Sequence, residues 1–118
     1  MRLARLAFLF PLMFVLGSLS LQAHAILVGS VPASNQVVSG DSVSAKLTFN
    51  VRIDAKRSRL SWIGLDGHEH QLQIEDQTSP DTITAKLSRV PPGYYVIRWQ
   101  VLAEDGHITR GEVPFHAQ

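Results

Sequence analysis

The chain has 118 residues, with 11 Lys and Arg against 10 Asp and Glu, and no cysteine. Near-neutral charge without a basic cluster excludes nucleic acid as a partner, and the length suits one small domain. Without cysteine neither disulfides nor thiolate metal sites are available, so the fold must rest on packing and strand pairing, with bound metal as the remaining aid.

Residues 1–23 have the layout of a cleaved secretory signal. Arg2 and Arg5 form a basic n-region, residues 6–16 an apolar run broken by Pro11, and Gly17, Ser18 and Ser20 a small, polar c-region. The apolar run is shorter than the roughly 18 residues of a membrane-spanning helix. Both methionines, Met1 and Met13, and two basic residues lie in this segment. The remaining domain, residues 24–118, therefore carries no methionine and nine basic residues against ten acidic ones.

Beyond the signal, apolar residues alternate with period two, and no stretch sustains a helical period. Predicted strands are residues 26–31, 43–51, 60–65, 71–74, 82–87, 94–102 and 108–115. In the second, Val43, Ala45, Leu47, Phe49 and Val51 alternate with polar residues; in the sixth, Tyr95, Ile97, Trp99 and Val101 share a face. Turn signals separate them: Pro32-Ala33-Ser34-Asn35, Ser39-Gly40-Asp41, Asp66-Gly67, Ser79-Pro80-Asp81 and Pro91-Pro92-Gly93. About seven short strands at spacings near 8–12 residues predict an all-β sandwich or barrel with Greek-key connections. Trp62 and Trp99 read as core residues, and His116, near the chain end, falls where fraying is expected.

Four histidines bear on chemistry. Asp105-Gly106-His107 places a carboxylate and an imidazole two residues apart, hence on one face of an extended chain, with Gly106 leaving room for close approach. If cleavage follows Ala23, His24 becomes the first residue and offers its α-amine and its ring together. With Asp105 and His107 the donors are then three nitrogens and one oxygen, a set that suits tetragonal Cu(II), although Zn(II) takes the same donors. Local rules favour a cut after Ala25, since Ala23-His24-Ala25 is small-x-small, whereas a cut after Ala23 puts Leu21 at the −3 position. His68-Glu69-His70 is a second spaced pair, read as a solvated hairpin end with an auxiliary metal site as the alternative. No G-x-S-x-G elbow and no phosphate-cradling glycine loop occurs.

The run Ala23-His24-Ala25-Ile26-Leu27 with Ser30-Val31-Pro32-Ala33, and the segment from Pro92-Gly93-Tyr94-Tyr95 through Trp99 to Glu104-Asp105-Gly106-His107, Gly111 and Phe115, resemble the periplasmic copper resistance proteins of the CopC type. The resemblance spans essentially all of the chain past the signal. It implies a small Greek-key β-barrel or sandwich of cupredoxin- or immunoglobulin-like shape, and one Cu(II) per chain held by the amine and ring of His24 with Asp105 and His107. It also implies histidine first in the exported chain, hence cleavage after Ala23, and a monomer that buffers copper or delivers it to an inner-membrane transporter of the CopD type. Two departures stand out. A thioether Cu(I) site is excluded by the missing methionines, and Ile26 stands where some members carry a further histidine. The other functional readings are an oxidative enzyme of the copper-brace kind, with an N-terminal histidine as ligand, and an interaction module of β-sandwich fold without metal.

Overall fold

Apolar residues at every second position need one face buried, and residues 24–118 meet that need with eight strands in two sheets. A computed structural model describes residues 24–118; the proposed secretory signal, residues 1–23, lies outside the described residues, and His24 is the first of them. The strands are β1 (Leu27–Val31), β2 (Gln36–Val38), β3 (Ser42–Phe49), β4 (Ile53–Ile63), β5 (Glu69–Leu72), β6 (Thr82–Ser88), β7 (Gly93–Ala103) and β8 (Ile108–Ala117). No helix occurs among the described residues.

One sheet has the order β1-β3-β6 and the other β2-β8-β7-β4-β5. All pairings are antiparallel except β2 with β8. The expected alternation holds. In β3, Val43, Ala45, Leu47 and Phe49 are buried while Ser42, Ser44 and Lys46 are exposed. In β7, Tyr95, Ile97, Trp99, Val101 and Ala103 enter the core, where they meet Leu60 of β4 and Val113 and Phe115 of β8. The structure is thus the all-β sandwich that the spacing predicted.

Several details depart from the sequence reading. The turn-rich stretch after Pro32 contains the short β2, whose parallel pairing with β8 and the bond from Gln118 N–H to the Val38 carbonyl (2.8 Å) tie down the end expected to fray. The strand expected at residues 60–65 is the second half of the longer β4. Its register shifts between Asp54 and Arg59, where the buried Ser58 hydroxyl donates to the Asp54 carbonyl and accepts the Leu102 N–H. Trp62 is only half-buried, packed on the core from its margin.

Two features close the sandwich. The Tyr95 hydroxyl donates to the Pro91 carbonyl, a corner that pins the entry to β7, and burial pushes the phenol pKa up. The open edge of β6 receives a bond from Glu75 N–H to the Thr84 carbonyl (2.9 Å), so the link after β5 covers it.

Candidate metal centre

The Asp105-Gly106-His107 motif forms the turn between β7 and β8. Ala103 N–H donates to the His107 carbonyl (2.9 Å) and Gly106 N–H to the Ala103 carbonyl (2.9 Å), with Gly106 at φ 86°. That left-handed conformation is costly for any residue with a Cβ, which is why glycine stands between the two functional side chains. Asp105 and His107 do meet, but through the turn and not through an extended strand. The Asp105 Oδ1 accepts the His107 backbone N–H (3.0 Å), and Oδ2 lies 2.8 Å from His107 Nδ1.

The ring and backbone N–H groups of His107, in that order, hold the Asp105 carboxyl below its ordinary 3.8 against the opposing effect of desolvation; the charges of His107 and His24 act in the same lowering direction. An ionised carboxylate only accepts, so Nδ1 carries a proton in this contact.

His24 reaches this turn from the far end of the described chain. Ala25, next to it, is buried in the core, and Ile26 is bonded to Asn50 twice: Ile26 N–H to Asn50 Oδ1 (2.7 Å) and Asn50 N–H to the Ile26 carbonyl (3.1 Å). The exposed His24 ring then lies 5.5 Å, centroid to centroid, from that of His107.

The link between β3 and β4, residues 50–52, holds both halves of the cluster. While Asn50 binds Ile26, the Arg52 carbonyl accepts the N–H of Glu104 in the β7–β8 turn (3.1 Å). Neither Asn50 nor Arg52 carried a sequence signal, because a bend asparagine and an exposed arginine are unremarkable locally and their partners lie far along the chain.

The sequence-predicted residues His24, Asp105 and His107 are thus brought together at one end of the sandwich. Among the described residues, no three His, Asp or Glu side chains already surround a common point. Asp105 has both oxygens turned onto His107, so the cluster consists of two adjacent rings with a carboxylate behind one of them. Its donor chemistry fits a borderline metal ion: two imidazoles, an oxygen with lone pairs to spare and, if His24 is the chain start, an amine.

The second histidine pair lies at the other end of the five-stranded sheet. Ile53 of β4 faces Ala103 of β7 and Ile63 faces Val96, so the turn after β4 is remote from the turn after β7. Asp66-Gly67-His68 repeats the same turn: Gly67 N–H bonds to the Gly64 carbonyl (3.1 Å), His68 N–H to Asp66 Oδ1 (2.9 Å), and Gly67 has φ 75°. Here, though, the carboxylate meets the ring of His70, at 3.2 Å from Oδ2, and that ring packs against Trp62 with centroids 5.4 Å apart. The Asp66 pKa is lowered first by the His68 N–H and then by the His70 ring. A recess of about 470 Å³ opens on the outer face between these ends. It is walled by Arg98, paired with Glu112 at 2.9 Å and Glu69 at 3.6 Å, and none of His24, Asp105 and His107 lines it.

Fold and cluster together define a cysteine-free β-sandwich that gathers His24, ahead of β1, and His107, between β7 and β8, at one pole. The chain belongs to the CopC family, whose CopC domain matches residues 27–118. Among curated proteins it is similar to protein YobA of Escherichia coli (strain K12), 26% identical over 99 residues that cover 81% of this chain and 80% of the relative. Among solved structures it is similar to CopC from Methylosinus trichosporium OB3b, with a TM-score of 0.72, 26% identity, and coverage of 80% of this chain and 94% of the other. PcoC, a methionine-rich copper resistance protein from Escherichia coli, shares the fold with a TM-score of 0.64 and 23% identity, over 81% of this chain and 100% of the other.

Proposed function

We propose that this chain binds one Cu(II) per molecule in the periplasm and serves copper homeostasis, buffering the ion or handing it to an inner-membrane transporter of the CopD type. Membership of the CopC family supports copper as the metal. The observation that carries the reading is the juxtaposition of the His24 and His107 rings at 5.5 Å. The work asked of the chain is binding and release, with no bond-making on a substrate, so the reading is not an enzyme.

Each residue has a defined task. His24, once first in the chain, supplies the α-amine and an imidazole. His107 supplies a ring nitrogen, with Asp105 turning Oδ2 away from Nδ1 to reach the same ion. Asp105 supplies the oxygen donor and a negative charge that offsets the ion, and its lowered pKa keeps that charge in place at neutral pH. Nitrogen and oxygen donors favour Cu(II), and the absence of cysteine and methionine past residue 23 removes the soft ligands that Cu(I) prefers.

The test uses mature protein purified from the periplasm, with its first residue fixed by intact mass. One equivalent of Cu(II) is expected to give a single tetragonal EPR signal with nitrogen hyperfine structure. A signal unchanged in both His24→Ala and His107→Ala would overturn the assignment.

A further inference from the structure

From the bond between Asn50 and Ile26 we infer that Asn50 is a positioning residue for the metal centre: its side-chain carbonyl fixes where His24 emerges. The inference rests on the copper reading above and adds a residue outside the ligand set. The β1–β3 ladder ends at the pair Leu27 and Phe49. One step further out, an antiparallel pair of residues would exchange two main-chain bonds. Asn50 N–H does donate to the Ile26 carbonyl, but the Ile26 N–H is taken by the Asn50 side chain, at 2.7 Å. The side-chain oxygen stands in for a main-chain acceptor at the place where the ladder runs out.

A bend asparagine that served only its own loop would bond to main-chain groups a residue or two away. This one reaches across to Ile26, the residue just ahead of β1 and two residues from His24. Between the ring and the β1–β3 ladder lie the buried methyl of Ala25 and this clamp, and the clamp supplies the directional restraint that a methyl contact lacks. The repeated Asp-Gly-His turn supports the same point. Asp66-Gly67-His68 reproduces the turn geometry, yet there the carboxylate holds the ring of His70. What sets the His107 turn apart is the second histidine delivered beside it, and residues 50–52 bond to both parts.

The mature chain is titrated with Cu(II) alone, as wild type, Asn50→Ala, His24→Ala and the double variant. Hydrogen exchange at the Ile26 amide is followed in the metal-free state. Asn50→Ala is expected to bind Cu(II) roughly tenfold more weakly, in the range seen when groups that orient metal ligands are removed. Its Ile26 amide is expected to exchange faster, and Asn50→Asp, which keeps an oxygen acceptor, is expected to restore the protection. In the His24→Ala background the Asn50→Ala penalty should vanish, which a general loss of structure would not produce. Equal affinity of Asn50→Ala and wild type, or a penalty that persists without His24, overturns the inference. An unprotected Ile26 amide in the wild type does so even if no variant folds. Wild type that binds no Cu(II) at all, with the amide protected, instead overturns the copper reading and leaves the clamp standing.

Discussion

The imidazole rings of His24 and His107 are 5.5 Å apart between centroids and tilted by 51°. One ring precedes the first strand and the other sits in the last hairpin, so their contact is a product of tertiary structure alone. β1 lies in one sheet and β8 in the other. On the copper reading proposed above, an ion held at both rings would therefore link the two sheets. A ligand that binds only the native state raises stability by mass action, about 2.7 kcal/mol at a hundredfold excess over Kd. Cu(II) is accordingly expected to raise the melting temperature of the mature chain, and an unchanged Tm at saturating Cu(II) would show that the ion does not bridge the native sheets.

The α-amine of His24 is a ligand only when nothing precedes it. A chain carrying one extra residue before His24 keeps both rings and Asp105 but loses that nitrogen. Cu(II) affinity is expected to fall by at least about tenfold, more than for loss of an orienting group, because a ligand atom itself is removed. Competition titration against a chelator reads this directly. Equal affinities for the two chains would remove the amine from the site.

The pH dependence follows from which donors carry protons. An α-amine has an ordinary pKa of about 7.7–8.0 and must lose its proton to bind, so Cu(II) affinity should weaken as pH falls below that range. The Asp105 carboxyl is held below 3.8 by His107, so it stays ionised across the same interval and adds no slope there. Asp105→Asn is expected to lower Cu(II) affinity at about pH 8, where the amine can shed its proton, and equal affinity of variant and wild type there would remove the carboxylate from the site.

How legible this was in the chain depends on whether the signal was local. Alternation in β3 and β7 was plain because one face of each strand is buried and the other is wet. β2 was hidden because three residues cannot display a period, and its pairing partner is the distant β8. The Asp105-Gly106-His107 turn could be found by motif, but the motif occurs twice, and local sequence does not say which copy has His24 beside it. That choice is made by Asn50 and Arg52, whose roles exist only through bonds to Ile26 and Glu104. The family resemblance joined the two ends before the geometry did.

The loop that enters β6 stabilises the same pole of the sandwich through a different carboxylate. Asp81 Oδ1 accepts the hydroxyls of Ser79 and Thr82, both at 2.9 Å, and these two bonds lower its pKa below 3.8. A depressed folded-state pKa contributes stability above the unfolded value that is lost as pH falls through the folded one. Metal-free Asp81→Asn is thus expected to melt below wild type at pH 7, with the gap closing in acid beneath the ordinary carboxyl range. Melting curves across that range check it, and a gap that widens in acid would reverse the sign.

Gly111 is required by Trp99. A Cβ built at position 111 would lie 2.3 Å from Trp99 Cζ2, 2.5 Å from Cε2 and 2.9 Å from Nε1, far inside contact distance. The indole lies over the glycine on the core face of the sheet, edge-on to Phe49 with ring centroids 5.1 Å apart, and its Nε1 is buried without a hydrogen-bond partner among the described residues. Gly111→Ala must therefore push the indole off Phe49, at a cost of about 1–3 kcal/mol by overpacking. Urea unfolding should show that loss, and the tryptophan emission should shift to the red as the ring moves toward water. Trp99→Phe combined with Gly111→Ala should recover part of it, because the smaller ring vacates the space the methyl needs, giving a coupling in the double-mutant cycle. Phe49 immediately precedes Asn50, so the same displacement is expected to weaken the hold on Ile26 and with it Cu(II) binding. Gly111→Ala within about 0.5 kcal/mol of wild type and with unshifted emission would mean that the indole does not occupy this seat.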